Sequence, residues 1–458
     1  MQSKNKFSAV WNGSFVFFLL LLTIIAALFY YGQCYRAGIN YCMSPNEGWN
    51  AFFAKAAMDG EALYPSPEKL LTNNYPPLSF YATGILGMCL GDQIMAGRIL
   101  SLLASIVIAC GIAAIISRLG GDLFGSIAGG ALFLAMLCRY YDYVGQNDPQ
   151  LLAQAIMTMG TLWFLDRELS GRGLVLPLLT MVAAGFFKHN IIALPAASLA
   201  LVLLLDWHRF LRLAAISLLF IIVGLLACLA VYGPSFIYNF CTPRGFSWGD
   251  GIDALPDLLH HIALPVAAFV AIGVYKRRET SIQFVNLLLG ISFIAFFLQS
   301  CGDGVGPNAE FDMVIAASVG FGLTLSFLGR SDLPECLPPG LSRSLLVAAA
   351  CLTLWPGRSD LALRLLIDPR TVHEQRQRTE IDMENAVARC RSMPGDVYCD
   401  PTVLYRAGKQ FRVDSYNVAE RIRYGRLHAD AIDALYRKGS LSFVENPYNF
   451  LDDSWYPY

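Results

Sequence analysis

The chain has 458 residues, 55% of them hydrophobic and 15% charged, with a formal net charge of −1. Soluble proteins carry roughly 25% charged residues, so this chain cannot clothe several water-soluble domains, and its neutrality excludes a polybasic nucleic-acid binder. Twelve cysteines are too sparse for a disulfide scaffold, none falls in a zinc spacing, and the six histidines show no metal pairing.

The charge is uneven. Residues 357–458 hold 15 Lys/Arg and 15 Asp/Glu, against 19 and 20 in all the residues before them. This is the pattern of a polytopic membrane part, 1–357, followed by a polar C-terminal domain, 358–458. In chain order, the apolar stretch 14–31 follows Lys4 and Lys6 and lacks a small-residue cleavage site, so it reads as an uncleaved signal-anchor helix. Further runs free of Asp, Glu, Lys and Arg fall at 77–91, 99–117, 123–138, 149–165, 174–187, 191–205, 213–232, 262–275, 280–302, 313–329 and 344–357.

If every run except 77–91 spans, the loops alternate cleanly. One set then holds twelve positive charges and seven acids, the other seven positive charges and thirteen acids. That is the positive-inside pattern, and it predicts eleven spanning helices with 77–91 juxtamembrane. Letting 77–91 cross would place Lys276-Arg277-Arg278 outside. The external loop 32–98, the later external loops and the C-terminal domain then share one face, the extracytoplasmic one in a plasma (inner) membrane.

Within loop 32–98, residues 48–58 form an amphipathic pattern with Trp49, Phe52, Phe53 and Ala57 on one face, a helix for the membrane surface. Glu47 opens it, either as a helix cap or as a base, and Asp148 before Pro149 has the same two readings. Lys188, in FFKHNII between two short apolar runs, either snorkels or binds an anion such as phosphate. His189 beside it reads as an interfacial hydrogen-bonding residue. The last external loop, SCGDGVGPNAEFD, brings Asn308 and Glu310 as cavity candidates or as parts of a plain turn. Cys34/Cys42 and Cys390/Cys399 are close enough in sequence to pair or to stay free thiols. The tail mixes helical stretches (MENAVARC, NVAERIRYGRLHADAIDALYRKG) with strand-like DVYC, QFRV and LSFV, a small α/β domain.

The order of these features resembles the GT-C superfamily of integral membrane glycosyltransferases. The carriers are the acid after the first helix, NYPPLSFY, the Arg-led AGRILSLLAS, Asn147-Asp148-Pro149, and Lys in FFKHNIIALP. The set is similar to protein O-mannosyltransferases and lipid A aminoarabinose transferases, with bacterial relatives of unknown acceptor nearest. The tail PGDVYCDPTVLYRAGKQFRVDSY resembles their extracytoplasmic ends. The resemblance implies transfer of a sugar from a polyprenyl-phosphate carrier to a glycan, lipid or protein acceptor at the outer face. It implies a carboxylate base, Glu47 or Asp148, and cations on the lipid phosphate, Arg98 and Lys188, with Lys55, Lys69 and Arg244 next in line. Asn46, Tyr75, Asn147, His189, Asn308 and Glu310 would line the substrate cavity. Two positions depart from the pattern: Asn46 stands where many relatives carry Asp, and Tyr75 where the aminoarabinose transferases carry Lys. No metal ligands are assigned, although a divalent metal is compatible with this chemistry. A transporter or lipid flippase, or an inactive scaffold on the transferase fold, is the alternative. The absence of related halves and of charge in mid-span argues against transport.

Overall fold

A computed structural model describes residues 2–140, 143–330, 338–358, 360–428, 430–431 and 441–443. The centre of the proline-rich connector and the second half of the tail's last helical stretch lie outside these residues. The elements are α1 (Gln2–Ala37), α2 (Pro45–Asp59), α3 (Leu78–Leu90), α4 (Gln93–Arg118), α5 (Leu123–Leu137), α6 (Gln150–Leu169), α7 (Val175–Gly185), α8 (Ala193–Leu205) and α9 (Trp207–Tyr232). They continue as α10 (Pro234–Phe240), α11 (Trp248–Asp253), α12 (Leu255–Lys276), α13 (Thr280–Ser300), a 3₁₀ turn at Pro307–Glu310, α14 (Phe311–Leu328) and α15 (Pro339–Thr353). The tail forms α16 (Leu361–Ile367), α17 (Pro369–Ser392), β1 (Asp396–Tyr398), α18 (Pro401–Ala407), α19 (Ser415–Arg423) and β2 (Leu441–Phe443).

This is a multi-pass membrane protein. Six helical stretches among the described residues are long and apolar enough to cross a bilayer: 11–37, α4, α9, 248–274, α13 and 307–328. The other expected spans are not of that kind. α5, α7, α8 and α15 are apolar but only 11 to 15 residues long, and α6 ends in Asp166, Arg167 and Glu168. α14 is the axis of the bundle, buried along almost its whole length against α5, α12 and α13. α9 is the opposite case: Leu218, Leu219, Phe220 and Val231 are exposed, a surface suited to acyl chains.

Ion pairs sort the loops into two ends. At one end Arg209 pairs with Glu168 at 2.8 Å, Arg343 with Asp122 at 2.5 Å, and Arg118 with Asp166. At the other lie Glu47–Arg98, Asp148–Lys188 and Asp303–Arg423. α6 runs between them, about 30 Å at 1.5 Å per residue, and the α7–α8 hairpin reaches the site end at its turn and comes back to the end it started from. The two sets are those separated by the charge count. α3 begins where Leu78 N–H donates to the Phe186 carbonyl in the α7–α8 turn. It ends at Gly91, beyond which Asp92 faces Arg406 at 3.5 Å. Both its ends therefore lie on the same end of the bundle, as a juxtamembrane helix requires.

α2 starts earlier than its amphipathic pattern predicted. Ser44 caps it by accepting from the Asn46 N–H, and Pro45 opens its first turn, so Glu47 is not the cap. DVY and LSF pair as a two-stranded parallel sheet, Val397 opposite Ser442, whereas 410–413 pairs with no strand among the described residues. The tail shares a core with loop 32–98 and α10: Trp49, Phe53, Phe80 and, from α10, Phe236 cluster with Met383, Val403, Leu404 and Phe411. Buried Arg421 donates to the carbonyls of Lys69, at 2.7 Å, and Pro67. Cys390 and Cys399 sit with their Sγ atoms 3.9 Å apart, while Cys42 lies against Met383.

Candidate active site

Glu47 and Arg98 meet first. Both are fully buried, and the guanidinium grips the carboxylate with two parallel bonds, Nε to Oε1 at 2.8 Å and Nη2 to Oε2 at 2.6 Å. The remaining Arg98 donors reach the carbonyls of Ala37 (3.1 Å), Ile39 (2.6 Å) and Tyr41 (2.9 Å). All five N–H groups are thereby filled, and none is left for a phosphate. Glu47 also accepts from the backbone N–H of Asn147 at 3.1 Å and of Met43 at 3.3 Å. Asn147 donates to the Glu47 carbonyl at 3.0 Å and receives Asn50 Nδ2 at 2.9 Å. A Cβ at Gly97 would collide with the Asn147 side chain, so only glycine lets α4 come this close. Expected as base and phosphate ligand, Glu47 and Arg98 form a clamp instead, joining the end of α1, α2, α4 and the 143–148 loop.

Asp148 and Lys188 form the second pair, Nζ to Oδ1 at 3.7 Å, both nearly buried. Asp148 Oδ1 accepts from Gln150 N–H at 2.8 Å, so half of the expected capping role is present. Its Oδ2 is buried without a protein partner. The Lys188 ammonium lies 3.6 Å over the ring of Tyr75, whose other neighbour is Trp49, edge-on at 5.1 Å. Tyr75, where the family pattern has a lysine, thus holds the ammonium of a lysine from another element.

In front of Tyr75 opens a cavity of about 660 Å³, lined by Asn46, Trp49, Asn74, Tyr75, Arg244 and Asp414 among others. Its far wall belongs to the tail: Asp400 caps α18 and Asp414 caps α19. Asp414 is almost wholly buried, accepting from Trp49 Nε1 at 3.1 Å and from Asn417 Nδ2 at 2.6 Å. Burial pushes its carboxyl above the ordinary value, against the opposing pull of Asn417, Trp49 and Arg244. Arg244 lies 4.7 Å over Tyr416 and among the described residues has no carboxylate at ion-pair distance. A Cβ at Gly48 would strike the backbone of Pro401 and Thr402, so α2 and α18 touch main chain to helix.

The remaining expected residues are engaged with protein. His189 packs on Phe240, ring centroids 4.9 Å apart. Asn308 bridges Tyr143, at 2.9 Å, and Gln150, at 3.1 Å. Glu310 accepts from the Tyr140 hydroxyl at 2.5 Å and faces His261 at 3.0 Å. A polar layer therefore extends into the bundle behind Asp148, continued by Gln154 and Asp312.

Sequence reasoning held Arg244 in reserve and did not place Asp400, Asp414 or Asn417. No spacing signal joins them to Asn46 and Trp49, more than 350 positions earlier.

No protein-family model matches the chain, and no curated protein matches its sequence. Solved structures do. ArnT from Cupriavidus metallidurans bound to undecaprenyl phosphate aligns at TM-score 0.62 and 13% identity over 93% of this chain and 92% of that one. Its apo form aligns at 0.61 over the same shares. The Archaeoglobus fulgidus oligosaccharyltransferase aligns at 0.54 and 10% identity, over 93% of this chain and 69% of that one. This chain has the GT-C fold. The likeness, over 93% of this chain, includes part of the tail as well as the membrane part.

Proposed function

We propose that the chain is a glycosyltransferase that takes a sugar from a polyprenyl-phosphate carrier and inverts it onto an acceptor hydroxyl at the extracytoplasmic face. The observation that carries the reading is the buried Asp148, with Oδ2 unpartnered, paired with Lys188, whose ammonium lies against Tyr75. Tyr75 and Arg244 line the cavity, and Asp148 and Lys188 sit beneath that lining. In-line displacement puts the attacking and leaving oxygens on opposite faces of the anomeric carbon, so base and phosphate ligand cannot be neighbours. Lys188, 3.7 Å from Asp148, therefore orients that carboxylate, and Arg244 takes the phosphate. The acceptor hydroxyl gives its proton to Asp148 Oδ2 as its oxygen bonds to the anomeric carbon. The bond from that carbon to the phosphate oxygen breaks, and the polyprenyl phosphate leaves as an anion against the guanidinium. Glu47 and Arg98 hold the loops that shape the cavity. Among the described residues no three His, Cys, Asp or Glu side chains converge. A divalent ion would find Asp148 as a single carboxylate.

The test is transfer from a labelled polyprenyl-phosphate sugar by the full-length protein in membranes. Asp148→Asn should lower turnover at saturating donor by about 10²–10⁴ with donor affinity unchanged. Arg244→Ala should instead weaken donor binding. Asn46 and the clamped Glu47 would also suit an inactive carrier-binding scaffold, and wild-type binding without transfer would establish it. Translocation without transfer would point to a flippase.

A further inference from the structure

The tail's wall of the cavity carries more than its fold requires. Asn417 is buried, lines the cavity, and donates its Nδ2 to Asp414, yet its Oδ1 has no hydrogen-bond partner among protein atoms. A buried acceptor left open on a cavity wall costs on the order of 1–3 kcal/mol unless something donates to it. Across the cavity Asn46 and Asn74 also present amides that, among the described residues, have no side-chain partner. Between these amides Trp49 and Tyr75 also line the cavity, with one face of the Tyr75 ring covered by the Lys188 ammonium. The wall's carboxylates are occupied: Asp414 by Trp49 and Asn417, Asp400 through Oδ1 by the Thr402 N–H.

From this we infer that the cavity reads a neutral, polyhydroxylated sugar, with Asn417 as a specificity-determining residue supplied by the tail. Hydroxyls donate to open amide oxygens and accept from amide N–H groups, and aromatic faces pack on the C–H face of a sugar ring. An amino sugar carries a cation and needs a free carboxylate near it. This wall offers open amides and the positive Arg244, which repels such a cation and attracts the phosphate.

The inference rests on the polyprenyl-phosphate reading, and the experiment separates the two. Full-length protein in lipid nanodiscs is titrated with three probes: bare polyprenyl phosphate, the same carrier bearing a neutral hexose, and the carrier bearing an amino sugar. Wild type should bind the hexose form tightest. Asn417→Ala and, independently, the exposed Asn46→Ala should each weaken the hexose form roughly three- to tenfold and leave the bare carrier unchanged. Asn46→Asp should move preference toward the amino sugar. Equal weakening of bare and hexose-bearing carrier in both alanine variants, or an amino sugar bound as tightly as the hexose by wild type, overturns the sugar assignment alone. Failure of wild type to bind bare carrier overturns the polyprenyl-phosphate reading beneath it.

Discussion

Glu47 and Arg98, expected as base and phosphate ligand, are bound to each other in the folded chain. A buried pair with every donor filled gains little net stability from its charges, but removing one partner strands the other, at about 3–5 kcal/mol. Glu47→Gln and Arg98→Ala should therefore each lower the thermal unfolding midpoint in detergent sharply, and the double variant should lose much less than the two losses added. Arg98→Lys should recover only part, because an ammonium cannot form the two parallel bonds. Additive losses in that cycle would mean that the two side chains do not act as one unit. Asp414 poses a different test. Its folded-state pKa is raised above the ordinary 3.8 by burial, so the folded chain holds this proton more tightly than the unfolded chain. Stability from this group is present below about pH 4 and declines as pH rises through the raised value. Unfolding midpoints measured against pH should show that slope in wild type and lose it in Asp414→Asn, whatever the offset between them.

At the scale of elements, α2 decides how the tail meets the membrane part. Its first turn carries three kinds of contact within four residues: Asn46 faces the cavity, Glu47 grips Arg98, and Gly48 lies against the Pro401–Thr402 backbone. Trp49 then reaches Asp414. A Cβ at Gly48 would come within 2.5 Å of the Pro401 carbonyl oxygen, and main chain cannot yield as a side chain can. Gly48→Ala should displace α18, separating Asn46 from the Asn417 wall. Limited proteolysis should then cut between α17 and α19 faster than in wild type, with membrane insertion intact. An unchanged cleavage rate would show that the two helices have room to part without loosening.

The whole molecule sorts its loops by end. The site end gathers the clamp, the Asp148–Lys188 pair and the tail, and the opposite end gathers Arg118, Arg209 and Arg343 with their acids. If the site end is extracytoplasmic, single cysteines at the exposed positions Glu61 and Arg391 should react with a membrane-impermeant maleimide in intact cells. One at exposed Arg172 should react only after permeabilisation. Labelling in the reverse order would invert the protein and put its chemistry on the cytoplasmic side.

Long apolar runs and the bias of Lys and Arg are local quantities summed over short stretches. The sequence by itself therefore determined the polytopic character and the grouping of loops into two sets, and it marked 77–91 as a run whose two ends stay at one end of the bundle. It also marked Asp148 and Lys188, since a charged residue beside short apolar runs needs a partner wherever it lies. It could not determine which acid was free. Glu47 and Asp148 have a similar local signature, an acid at the start of a helix within two residues of a proline. They differ only in what arrives from elsewhere: a whole guanidinium from α4 for Glu47, and for Asp148 an ammonium that leaves Oδ2 open. Tertiary structure alone also brought Asp414 and Asn417 to the cavity, because first turns of short helices look alike in any sequence and only packing across the chain decides which of them face a cavity.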